Sequence, residues 1–219
     1  MMRPLHLCKP LTIILLCIVC WGCGAGQPVR VMPTGTTTIT ASAGGPIAPG
    51  KVPSVIIPYL TAGVMHGVTD DITVHGNAHL LMAAFGVGGI DAGASIRAWH
   101  QNGSLPELTV GARLMLFSDF RSFGDMRFYP DLAATFSYDT GGGWLAYFGL
   151  HQTLQTTTVR YFASPFAGLQ VPLSASFSIQ AEFIWQAVNH VTRNGVLEGR
   201  SSIGGHGSAG GFIGGAFRL

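Results

Sequence analysis

The stretch from Ala175 to Asn189 reads A-S-F-S-I-Q-A-E-F-I-W-Q-A-V-N, with Phe177, Ile179, Ala181, Phe183 and Trp185 at odd positions and Ser176, Ser178, Gln180, Glu182 and Gln186 at even ones. Side chains alternate across a β-strand with a period of two, so this is a strand with one apolar face and one hydrogen-bonding face. A helix would scatter both sets around its circumference. The same alternation recurs along nearly the whole chain. It is clear in Asp71 to Ala84, where Thr73, His75, Asn77 and His79 oppose Ile72, Val74, Ala78 and Leu80, and it recurs through Ser54–Gly67, Ile90–His100, Glu107–Leu116, Arg127–Tyr138, Trp144–Gln155 and Thr158–Leu169. Turn signals such as Asn102-Gly103-Ser104 and Asp139-Thr140-Gly141-Gly142-Gly143 separate the segments. About ten strands result, each near the ~9–11 residues a tilted strand needs to cross a membrane core. Eight is the alternative if residues 37–67 pair differently.

Alternation leaves open whether the apolar face looks outward to lipid or inward to a core. Three features favour lipid. Charged residues make up 10% of the chain, against roughly 25% in a soluble domain, and the polar faces carry Ser, Thr, Asn, Gln, His and a few Arg and acids in place of lysine. Connections alternate between short (Val68–Asp70, Asn102–Pro106, Asp139–Gly143, Val171–Leu173) and longer ones (Gly44–Pro53, Ser118–Asp125, His190–His206), the asymmetry of outer-membrane barrels. Aromatics on the apolar faces gather toward strand ends: Tyr138, Trp144 and Phe177 beside the short turns, and Phe128, Tyr161 and Trp185 toward the other rim. Pro58, Pro130 and Pro165 are expected at rims or bulges, where a missing N–H is tolerated.

From Thr37 to Leu219 the chain resembles small bacterial outer-membrane β-barrel proteins as a class. The resemblance implies an all-β, closed antiparallel transmembrane barrel in the outer membrane, with both termini in the periplasm. Its surroundings would be outer-membrane lipid. The C-terminal strand, ending Phe217-Arg218-Leu219, implies the barrel-assembly machinery as a partner during insertion.

Ahead of the barrel, Arg3 and Lys9 precede an apolar run from Leu11 to Gly22 that is too short for a spanning helix and reads as an export signal over residues 1–22. All four cysteines, Cys8, Cys17, Cys20 and Cys23, lie in or just after this run, so no disulfide framework is available. Cys20-Trp21-Gly22-Cys23 resembles the lipobox of bacterial lipoproteins, which implies lipidation at Cys23 and a Gly- and Pro-rich tether over residues 23–36. The alternative is ordinary cleavage after Gly24-Ala25-Gly26.

The candidate functional residues divide by position. Arg97, Arg113, Arg127, Arg160, Asp91, Glu107, Asp131 and Glu182 fall on polar faces and are expected to pair as a network filling the lumen, because an unpaired buried charge costs several kcal/mol or more. His75 and His79 lie about 13 Å apart along a strand, too far to share a metal ion, and are expected to be hydrogen-bonded. His151 lacks a recognisable nucleophile. Asp119, Arg121, Asp125, His190 and Arg193 form a candidate outer-loop surface. Asp119 and Asp125 with His190 or His206 are the best places for the Asp and His pairs of the omptin proteases, whose motifs do not match here. The charge of +2, without a basic run, does not favour nucleic acid. No cofactor is expected. The role read from the sequence is structural or surface-interacting with a filled lumen. The alternatives are a narrow solute passage, a hydrolase, or a tethered lipid-binding barrel with its apolar face inward.

Overall fold

A computed structural model describes residues 26–46, 59–80, 83, 86–119, 122–156, 159–191 and 206–219, with only the backbone described for residues 46 and 122–125. Ten strands form: β1 Thr37–Pro46, β2 Tyr59–Thr69, β3 Ile72–His79, β4 Val87–Trp99, β5 Glu107–Asp119, β6 Ser122–Asp139, β7 Leu145–Gln155, β8 Arg160–Pro172, β9 Phe177–Val191 and β10 His206–Arg218. Each pairs antiparallel with the next, and β1 pairs with β10 to close the barrel. Closure removes the unpaired edges that an open sheet would present.

The burial is inside out. Every strand exposes a large apolar residue: Ile39, Val64, Val74, Ile96, Leu114, Leu132, Phe148, Leu169, Phe183 and Ile213. The largest fully buried side chains are all polar: Thr73, Thr109, Asp131, Ser95, Ser137 and Ser208. An apolar belt continuous around the circumference is far larger than a water-soluble surface tolerates and fits hydrocarbon. Tyr138, Trp144 and Phe177 are exposed at one end of the belt, and Phe128 and Tyr161 at the other. An inward-facing apolar interior of the lipid-binding kind is therefore excluded.

One end carries the connections 70–71, 100–106, 140–144 and 173–176 together with the start of β1 and the end of β10; this is the turn end. The opposite, loop end carries 47–58, 80–86, 120–121, 156–159 and 192–205.

Three expectations change. Ser118–Asp125 is not a loop, because Asp119 pairs with Ser122 and β6 runs on from Ser122. A strand expected to reach Ala84 stops at His79. Residues 26–36 do not behave as a tether, as described below. Pro130 and Pro165 sit in register opposite Leu114 and Leu150. The β6–β7 ladder begins at Asp131 and the β8–β9 ladder at Phe166, so each proline stands just past the limit of one ladder and its missing N–H breaks no pair there. Beyond that limit β9 deviates at Ala187, whose φ is 52°. Asn189 then stands in for backbone: its Oδ1 accepts from Ala163 N at 2.9 Å and its Nδ2 donates to Tyr161 O at 2.8 Å. The deviation also turns Ala187 inward, against its expected place on the apolar face.

Candidate functional site

Residues 26–34 enter the barrel from the turn end and run up its lumen ahead of β1. Gln27, Val29 and Val31 are at most 8% exposed. At the turn end the segment is tied by Thr34, whose backbone N–H and hydroxyl donate to Asp70 Oδ1 at 3.0 and 2.6 Å. The two bonds, the hydroxyl's first, hold the Asp70 carboxyl below its ordinary value of 3.8. The chain then reverses at Gly35 (φ 76°), and Gly35 N donates to Gly67 O at 2.8 Å.

Higher up, Met32 N donates to Thr73 Oγ1 at 2.7 Å. Arg30 spreads across the lumen, its Nε donating to Ser137 Oγ at 2.8 Å and its Nη2 donating to Ser137 O at 3.1 Å and to Gln101 Oε1. Gln101 Oε1 in turn accepts from Asp139 N at 2.7 Å. Val29 packs with Tyr147, Phe166, Ile184 and Phe212 of β7 to β10, a burial that stabilises the segment by roughly 1.5–3 kcal/mol. Gln27 Nε2 donates to Asp131 Oδ2 at 3.2 Å. The wall is shaped for this segment: a Cβ on Gly67 would lie 2.2 Å from Pro33 O, and one on Gly111 would lie 3.2 Å from Gln27 Oε1.

The expected lumen network forms in part. Arg113 Nε donates to Asp131 Oδ2 at 3.0 Å, His151 Nδ1 meets the same oxygen at 3.0 Å, and Thr153 Oγ1 donates to Oδ1 at 2.7 Å. Arg97 and Glu107 form an ion pair at 3.4 Å, and Arg30 reaches Glu107 at 3.9 Å. Asp91 takes a histidine and an amide: His79 Nε2 at 3.0 Å and Asn77 Nδ2 at 2.7 Å, with the Tyr59 hydroxyl on His79 Nδ1. Glu182 accepts from Tyr147 OH at 3.1 Å, and Gln180 Nε2 donates to that hydroxyl at 2.6 Å.

Arg127 and Arg160 depart from expectation. Both are exposed at the loop end and outside these clusters. His79 is hydrogen-bonded as expected, whereas His75 is 5% exposed and neither ring nitrogen has a hydrogen-bond partner. Among the described residues no group of three His, Cys, Asp or Glu side chains could hold a metal ion. Arg30, Gln27, Tyr59, Tyr147 and Gln101 were not among the expected residues, while His79, expected as a hydrogen-bonded lumen residue, joins the Asp91 cluster. For Arg30 and Gln27 the available signal was the short alternation Gln27-Pro28-Val29-Arg30-Val31.

Above the segment, toward the loop end, the lumen opens into a cavity of about 750 Å³ lined by Tyr59, Met115, Phe117, Tyr129 and Phe162 together with Asp119, Arg127, Thr153, Gln155, Ser164 and Gln186. Rings meet there as His79–Phe117 at 4.9 Å and Phe117–Tyr129 at 5.9 Å. The expected outer surface is only partly gathered. Asp119 lines this cavity at the tip of β5, while His190 lies on β9, its Nε2 on Tyr161 O at 2.8 Å and its ring against Phe162 at 4.8 Å. Arg121 and Arg193, like Cys23, fall outside the described residues, as does the Asp125 side chain. The Asp–His contacts found among the described residues, His79–Asp91, His151–Asp131 and His100–Asp71, do not involve the expected Asp119, His190 or His206. The Ser164 hydroxyl beside His151 accepts from Ala187 N at 3.0 Å.

No family model and no curated protein matches the chain. Among solved structures, the translocator domain of autotransporter NalP from Neisseria meningitidis is similar over 96% of this chain and 96% of that chain, at 11% identity and a TM-score of 0.48. OmpT of Vibrio cholerae, an outer membrane protein in its trimer form, is similar over 75% of this chain and 56% of that one, at 10% identity and a TM-score of 0.33. Ail, the attachment invasion locus protein of Yersinia pestis, is similar over 86% and 100%, at 11% identity and a TM-score of 0.28. At that degree of likeness no activity is assigned, and the fold rests on the strand ladder itself.

Proposed function

We propose that this chain is a bacterial outer-membrane barrel with its turn end in the periplasm, closed at that end by its own N-terminal segment, and that it works as a structural or surface-contact protein through the opposite mouth. The observation that carries this reading is the seating of Gln27 to Met32 in the lumen, with wall glycines fitted to it. A segment bonded to Asp131, Ser137 and Thr73 from three directions obstructs steady flow. The apolar belt with aromatic rims supports the membrane setting. The aromatic and amide-lined vestibule and the tall β5–β6 hairpin supply the exposed contact surface.

A second reading, a narrow passage for small polar solutes, draws on the smaller cavity of about 310 Å³ between the segment and the wall of β1, β9 and β10. Orientation and exposure are tested on intact cells. The sequence after Cys23 holds no cysteine, so Ser118→Cys and Gly142→Cys introduce single thiols. A membrane-impermeant maleimide is expected to label Ser118→Cys directly and Gly142→Cys only after the outer membrane is permeabilised. The reverse order would overturn the orientation.

A further inference from the structure

The residues at the top of the lumen segment bear on how the N-terminus is processed. Gly26 O accepts from Asn77 Nδ2 at 2.9 Å. The Asn77 amide lies between two glycines: a Cβ on Gly26 would lie 2.3 Å from Asn77 Oδ1, and one on Gly63 would lie 2.0 Å from it. Asn77 is 6% exposed, and its Oδ1 has no donor. Beside it, Asp91 is a buried carboxylate whose ion-pair partner is His79. The Tyr59 hydroxyl and His79 Nδ1 share a hydrogen bond, and His79 Nε2 meets Asp91 Oδ2 at 3.0 Å. Asp131 has Arg113, and Glu107 has Arg97 and Arg30. Of these three carboxylates Asp91 is the one with no arginine in direct contact among the described residues, the Arg113 charge acting on it from farther away, and it stands next to an acceptor without a donor.

Reach decides what can stand there. Asn77 lies five residues up β3 from Ile72, about 16 Å along the strand and about 12 Å along the axis of a tilted barrel. Cys23 is three residues before Gly26, so it lies within about 10 Å of it. That length is shorter than the way back down the lumen to the turn-end rim.

We infer that the chain is cut between Ala25 and Gly26, and that the new α-ammonium of Gly26 is a built part of the lumen, donating to Asn77 Oδ1 and neutralising Asp91. Cys23 and Ala25 then stand as the small residues third and first before the cut, the pattern ordinary signal peptidase reads. Hydrolysis of the Ala25–Gly26 bond consumes one water, leaves a carboxylate on the departing leader and an amine on Gly26. The amine sits one bond from the α-carbon already packed on Asn77. Lipidation at Cys23, the expectation from the lipobox resemblance, is thereby replaced.

This inference rests on export to the outer membrane, and its test keeps the two apart. Protein is taken from the outer-membrane fraction, and its absence from that fraction would refute the location itself. N-terminal sequencing with intact mass is expected to give Gly-Gln-Pro-Val-Arg without an acyl group. A diacylated Cys23, or any other first residue, overturns the inference. The in-lumen amine is read separately, since the processed chain has one lysine, Lys51. An amine-reactive ester should leave the Gly26–Arg30 peptide unmodified in the folded barrel and modify it fully after boiling. Equal modification before and after boiling would place the amine in solvent and refute its role. Cys23→Ser is expected to leave processing and amount unchanged.

Discussion

The two ends of the lumen are built from the same ten alternating strands, yet they differ in what fills them. Toward the turn end and the middle, every inward charge meets a partner, and the chain's own Gln27, Val29 and Arg30 complete the packing. Toward the loop end, Arg127 and Arg160 are exposed and aromatic side chains frame an open cavity. The strand ladder closes the wall but leaves a lumen, which a separate segment fills toward the turn end, and the wall yields to it at Gly67 and Gly111. Stability is thus concentrated where the segment sits, and accessible surface where it does not.

The comparison breaks most readily at its centre. Asp131 takes Arg113, His151, Thr153 and Gln27. Asp131→Ala should cost about 3–5 kcal/mol by stranding a buried guanidinium, read as loss of the heat-resistant folded band on gels at a lower temperature. Arg127→Ala at the loop end should change that temperature little, within about 0.5 kcal/mol. Equal effects would erase the distinction between the ends.

Next in size is the seating of the segment itself. Val29→Ala removes apolar contact with Phe166 and Phe212 and should cost roughly 1.5 kcal/mol, measured by the same melting. Gly67→Val sets a side chain against Pro33 O, 2.2 Å from the first added carbon. It should free residues 26–36 to added protease while the barrel stays folded, and full protection in this variant would mean that the segment is held elsewhere.

The smallest effect sharpens the picture at the rim. The folded Asp70 carboxyl is lowered from 3.8, so its bonds to Thr34 stabilise the closed form above that pH. They are lost as pH falls through the lowered value. Hydrogen exchange at Thr34 and Gly35 should therefore accelerate only below about pH 4, the ordinary carboxyl range, and Asp70→Asn should abolish that pH dependence. Arg97 is the nearby cation that also favours the ionised form.

Much of the barrel was legible because a period of two survives translation into a sheet: β9 shows its Phe177–Phe183 face outward as the text implies. Three things were not. Alternation gives the side of the wall a residue faces but not its height, so Arg127 and Arg160, polar by pattern, were placed in the lumen although they stand above its enclosed part. Ser118 to Asp125 reads as a polar loop because its text, S-D-F-R-S-F-G-D, lacks alternation, whereas the hairpin there is set by backbone pairing of Asp119 with Ser122. The lumen segment is set by fit to distant groups such as Asp131 and Gly67, so its own Gly- and Pro-rich text carries little more than the Val29 and Val31 alternation. Asn189 substituting for backbone at Tyr161 likewise has no local signature.

Single-channel recording in planar bilayers tests the central claim most directly, comparing the intact protein with a chain lacking residues 27–33. The intact barrel is expected to show no large steady current, and the shortened one a current that is open most of the time. A large steady current from the intact protein, or no change on removing the segment, would contradict a lumen closed by its own N-terminal residues.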